Sequence, residues 1–79
     1  MQVVATLPHP DCKITVFAWN GKYLLKLERG MLEQTYKVAE WDLSGADEAV
    51  KLLDSVFMME ALERFISMQR SLDSALERL

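Results

Sequence analysis

The stretch ITVFAWNGKYLLKL, Ile14 to Leu27, decides the fold. Asn20 and Gly21 stand between two runs of β-prone residues. Both tolerate φ > 0, which a two-residue type I′ hairpin turn requires. The turn then fixes the register. Trp19 falls opposite Lys22, Ala18 opposite Tyr23, Val16 opposite Leu25 and Ile14 opposite Leu27, while Phe17 meets Leu24, Thr15 meets Lys26 and Lys13 meets Glu28. One face therefore gathers Ile14, Val16, Ala18, Tyr23, Leu25 and Leu27, all apolar or aromatic. The other mixes Lys with Phe17 and Leu24. A one-residue slip would scramble both faces, so the pattern specifies its own pairing.

Working outward, Arg29-Gly30 marks the next turn. A two-residue loop there sets Leu27 against Leu32, Lys26 against Glu33 and Tyr23 against Tyr36, with Val38 continuing the apolar face. A three-residue loop would turn Glu33 and Lys37 onto that face, so the shorter loop is expected. The meander then occupies about residues 12–18, 23–28 and 32–40. On the N-terminal side, Val3 to Leu7 has the propensity of a short edge strand, and Pro8 and Pro10 interrupt the pairing. After Trp41 the apolar period changes from 2 to 3.6. Apolar residues recur at 46, 50, 53, 57, 61, 65, 68, 72, 76 and 79, with no Gly or Pro beyond Ala46. Ser44 with Asp47 approximates a capping box, and Asp54-Ser55 offers a second cap. A short helix, a break at Asp54 and a long helix over 55–79 are expected, with one continuous helix as the alternative. The fold class is α+β: an antiparallel meander of three or four strands, followed by one or two C-terminal helices packed on one sheet face, all in a single domain spanning 1–79.

A 79-residue chain buries only about 60–65% of its unfolded surface and gains from a supplement to its core. Cys12 is the sole cysteine, which excludes an internal disulfide and a Cys-rich zinc site. A partner chain is the supplement that remains. The apolar run at the N-terminus is too short for a signal peptide, and no stretch approaches the ~20 apolar residues that span a bilayer, so a cytoplasmic protein without membrane contact is expected. The net charge of −3 is uneven. Residues 1–41 carry five basic against four acidic groups, while residues 42–79 carry four against eight. An acidic chain lacks the phosphate-neutralising charge of a general nucleic-acid binder.

The helical region is apolar over more than one stripe, because Leu52, Val56, Met59, Leu62 and Ile66 run beside the first. A 55–79 helix would measure about 37 Å, against roughly 20–24 Å for the strands. Its overhang still carries Leu72, Ala75, Leu76 and Leu79. The simplest cover is the same helix from another copy. The expectation is a non-enzymatic protein–protein interaction module that pairs with itself, or with another protein, through Leu62, Phe65, Ile66, Met68, Leu72, Leu76 and Leu79.

Constellations that carry chemistry are sparse. His9, Asp11 and Cys12 crowd into one turn, but sequence neighbours bounded by prolines seldom converge on one atom. Glu60 and Glu63 lack the histidine of a di-metal helix. Met31, Met58, Met59 and Met68 read as core at helical spacing. No catalytic residue, cofactor or metal is expected. The most suggestive patch is the second hairpin face, where Phe17, Trp19, Lys22, Lys26 and Lys37, with Leu24 and Trp41, form a surface for a small ligand or a single-stranded nucleic acid.

Overall fold

The computed structural model describes residues 1–79 as strands β1 (Gln2–Leu7), β2 (Lys13–Trp19), β3 (Lys22–Arg29) and β4 (Leu32–Ala39), a 3-10 turn at Glu40–Asp42, helix α1 (Ala46–Lys51) and helix α2 (Ser55–Glu77). The strands form one antiparallel sheet in the order β1-β2-β3-β4, and the helices pack on one of its faces, an α+β fold. The Asn20-Gly21 turn has φ of 50° and 72°, and the β2–β3 register runs from Trp19 opposite Lys22 to Lys13 opposite Glu28, as the sequence dictates.

The β3–β4 register differs from expectation by two residues. Arg29 pairs with Leu32, Leu27 with Gln34 and Tyr23 with Val38, so the loop is Gly30-Met31. An Arg29-Gly30 loop of the primed type would start with a non-glycine residue at positive φ. Placing Gly30 first, at φ 59°, meets that demand with glycine and leaves Met31 at negative φ, the pattern of a type II′ turn. A shift of two preserves the faces, so Leu32, Tyr36 and Val38 still point inward, joined by Gln34.

Two clusters make the core. Under α1, Val16, Tyr23, Leu25 and Ala49 are buried. Under α2, Ile14 and Leu27 meet Met58, Ala61 and Phe65. β1 supplies Val4, Ala5 and Leu7 through a bulge between Val3 and Ala5, which turns Val4 and Ala5 to the same side. The chain breaks between the helices where expected: the Asp54 carboxylate accepts the Phe57 N–H at 2.8 Å and caps α2. The Ser44–Asp47 box is replaced by another device. Ser44 caps nothing with its side chain; instead the Glu48 carboxylate reaches back to the Ser44 N–H at 2.8 Å.

One polar network inside this layer has no counterpart in the sequence reading. Gln34, buried on β4, donates its Nε2 to the Ala61 carbonyl at 2.8 Å and accepts from the Tyr36 hydroxyl. Arg64 donates its Nε to the Gln34 Oε1 at 3.3 Å and to the Tyr36 hydroxyl at 3.1 Å. Its guanidinium lies about 6 Å from the Tyr36 and Phe57 rings, which meet edge to face at 5.0 Å. The network ties the middle of α2 to β4, and no buried side-chain polar atom in the molecule lacks a partner.

Candidate functional site

α2 is 23 residues long, about 34 Å, and the molecule extends 46 Å along its longest axis against 25 and 18 Å across. The helix carries a strict heptad seam at Met58, Ala61, Phe65, Met68, Leu72 and Ala75, spaced alternately three and four, with Leu79 in phase just past its end. The sheet uses only its first half. Met58, Ala61 and Phe65 are buried, Met68 is half-buried, and every residue from Gln69 onward is exposed. Leu72 is 41% and Leu79 101% exposed, although both continue the stripe that upstream forms the core, and Leu76 beside them is 56% exposed. Of the other residues expected at an interface, Phe65 spends its ring on the chain's own sheet, Leu62 is half-buried and Ile66 is 49% exposed. Met59 and Val56 stand open beside them.

Where α2 leaves the sheet, a hollow of about 450 Å³ opens between the helix and the β3–β4 turn. Its floor is Leu32, Phe65 and Ile66, and its rim includes Arg29, Arg70, Gln69 and Asp73. A second hollow, also about 450 Å³, lies further toward the start of α2, where Met58, Met59, Leu62 and Ile66 face His9 and Pro10. Both are apolar-floored grooves along α2, and only the first reaches its second half.

The outer face of the sheet is uncovered. Its register sets Val3, Phe17, Leu24 and Lys37 in one row across all four strands, and Trp19, Lys22 and Ala39 in the next. Leu24 is buried and Phe17 half-buried beneath their neighbours; Trp19 is 44% exposed. Lys26 is engaged by Glu33 at 3.4 Å and Glu28 at 3.9 Å, whereas Lys13, Lys22 and Lys37 have no ion-pair partner. Lys13 and Glu28 are cross-strand neighbours, yet the carboxylate leans on Lys26 instead. Trp41 stands apart, in the 3-10 turn, where it lines a hollow of about 390 Å³ with Tyr23 and Leu43.

The turn constellation does not assemble. The His9 Nδ1 accepts the Asp11 N–H at 3.1 Å and makes no bond to Cys12. Burial, then the neighbouring Asp11 carboxylate, push the Cys12 thiol above its ordinary value, the reverse of an activated nucleophile. No group of three or more His, Cys, Asp or Glu side chains comes together as metal ligands, and no helix is long and apolar enough to cross a membrane. No family model, curated protein or solved structure matches this chain.

Proposed function

We propose that this protein is a small interaction module that pairs with a second copy of itself through the C-terminal half of α2. The observation that carries the reading is the heptad seam that outruns its sheet: Leu72, Ala75 and Leu79 continue the core stripe into solvent, with Leu76 exposed beside them. A seam of this spacing fits the complementary seam of another helix. Two antiparallel copies crossing near Leu72 would set Leu76 against Met68 of the other copy and Leu79 against the Phe65 hollow. Each apolar side chain so covered contributes on the order of 1–3 kcal/mol. The test is light-scattering mass across a dilution series for the natural chain and for a Leu72→Lys, Leu76→Lys variant. The natural chain is expected at twice 9.1 kDa or a larger multiple in the micromolar range, and the variant at a clearly smaller mass at the same concentration with its circular dichroism unchanged. A natural chain that stays at single-chain mass at every concentration defeats the proposal.

The second reading, a ligand role for the outer sheet face, is favoured by one specific observation: Lys22 and Lys37 are free of ion pairs and border Phe17, Trp19 and Leu24. The three principal hollows lie elsewhere, so a flat, extended anionic ligand such as a single-stranded oligonucleotide suits this face better than a compact one. Titration of a labelled oligonucleotide at low salt tests it. Saturable binding lost in Trp19→Ala supports the role, and the absence of a saturable signal removes it.

A further inference from the structure

β4 is one edge of the sheet, and the backbone on its outer side has no strand beside it. The Glu40 N–H donates to the Gly21 carbonyl at 2.9 Å. Antiparallel alternation from that bond assigns the backbone groups of Leu32, Gln34, Tyr36 and Val38 to β3. The N–H and C=O groups of Glu33, Thr35 and Lys37 therefore point away from the sheet, and those three residues are exposed.

The two sheet edges are treated differently. β1 carries a bulge and is followed by Pro8, both of which discourage strand addition. β4 runs eight residues with no bulge, Pro or Gly. Its outward-facing charges are not of one sign, as a repelling edge would have. They are one Glu33 and one Lys37, placed symmetrically about Thr35.

We propose that the β4 edge pairs antiparallel with β4 of a second copy, on a two-fold axis through Thr35. Only residues whose backbone groups point outward can form hydrogen-bonded pairs, and these are Glu33, Thr35, Lys37 and, at the strand's end, Ala39. The register centred on Thr35 sets Glu33 of each copy opposite Lys37 of the other, and Thr35 opposite Thr35. It also sets Leu32 against Val38 and Gln34 against Tyr36 on the inner face. Centring on Glu33 or Lys37 sets like charges face to face, and the intermediate registers leave both charges without opposite partners. Opposite-charge and Thr–Thr neighbours are favourable cross-strand pairs, and like charges are unfavourable. Lys26 already holds the Glu33 carboxylate on the outer face, 3.4 Å away, while Lys37 has no ion partner within its own chain and is free to meet Glu33 of the other copy. The result is one continuous eight-stranded sheet with α2 of both copies on the same face. This surface is separate from the α2 seam. A chain with two self-complementary patches forms a closed tetramer if the axes are perpendicular, and an open assembly if they are not.

The experiment uses the full chain carrying Cys12→Ser, Leu72→Lys and Leu76→Lys, so that neither the natural thiol nor the α2 seam contributes. Thr35→Cys is added in one version and Glu33→Cys in another. A hydrogen-bonded antiparallel pair holds its Cα atoms about 5.5 Å apart, within disulfide range, whereas two copies of residue 33 lie several residues apart in this register. Mild oxidation is expected to cross-link the Thr35→Cys chain at least ~10-fold faster than the Glu33→Cys chain. In parallel, without added cysteines, Lys37→Glu is expected to weaken self-association about tenfold. Adding Glu33→Lys to it, which restores opposite charges, is expected to recover the original strength. Equal cross-linking rates, or a charge-restored variant as weak as the single one, overturn the proposal, as does a single-chain mass for the α2-disabled protein at every concentration. A single-chain mass for that protein beside a dimeric natural chain condemns the β4 edge and leaves the α2 seam standing.

Discussion

Replacing Phe65 by Ala and, separately, Leu72 by Ala probes where α2 stops belonging to its own sheet. The two residues lie one heptad apart on the same seam. Phe65 is 1% exposed and packs with Ile14, Leu27, Met58 and Ala61, whereas Leu72 is 41% exposed. Truncating a buried Phe to Ala costs about 3–5 kcal/mol, transfer and cavity terms together. A chain of this length has a total stability on the order of 4–12 kcal/mol. Phe65→Ala therefore removes about a quarter or more of the folding free energy. With a urea dependence of about 1 kcal/mol per molar, the midpoint falls by roughly 3 M or the variant is unfolded without denaturant. Leu72→Ala in an isolated chain is a surface change of less than about 0.5 kcal/mol, since Ala is at least as good a helix former. Urea titrations followed by far-UV circular dichroism, run at nanomolar to low micromolar protein, separate the cases. The expected result is a large, concentration-independent loss for Phe65→Ala. Leu72→Ala should lose nothing when dilute and progressively more as copies pair. A dilute Leu72→Ala midpoint that falls as far as that of Phe65→Ala would refute the reasoning, because the overhang would then be packed on its own domain.

Other consequences are local. Asp54→Ala removes the only side-chain cap of α2 and is expected to cost about 1 kcal/mol in a urea titration. Gln34→Ala strips the partner of Tyr36, Arg64 and the Ala61 carbonyl and should cost about 1–3 kcal/mol, while Gln34→Leu, which refills the space, should cost less. The Cys12 thiol, raised by burial and Asp11, should alkylate more slowly than a free thiol at neutral pH, with a rate midpoint above the ordinary thiol range. Its linked contribution to stability is complete below the unfolded-state value and disappears as pH rises through the higher folded one, which a thermal-melt series across mildly to strongly alkaline pH should register.

How far the sequence could be read depended on the range of the interaction. Asn20-Gly21 is a local signal whose two residues carry both positive φ values, so it fixed the β2–β3 pairing residue by residue. The Asp54 break was equally local, since cap and capped amide are three residues apart. The β3–β4 loop was misplaced because one glycine serves either of two adjacent loop positions. Strand period alone does not distinguish registers that differ by two. Glu48 displaced Asp47 as the capping carboxylate because the helix starts at Ala46, which puts Glu48 within reach of the Ser44 amide. The Gln34 network stayed hidden for a different reason. A single polar residue on an apolar face gives no hint of partners 27 and 30 residues away on another element. The exposed stripe of α2 was legible as a surplus of apolar residues, but which of them remain outside, Leu72 and not Phe65, depended on where the sheet ends.

Amide hydrogen exchange along α2, measured as a function of protein concentration, tests the central claim most directly. Amides near Met58 to Phe65 should be protected to the same degree at every concentration, because their cover is intramolecular. Those from Arg70 to Glu77 should exchange freely when dilute and gain protection as concentration rises, because their cover is another copy. Protection of the last two turns that is high and independent of concentration, or absent even in the most concentrated sample, would contradict the account.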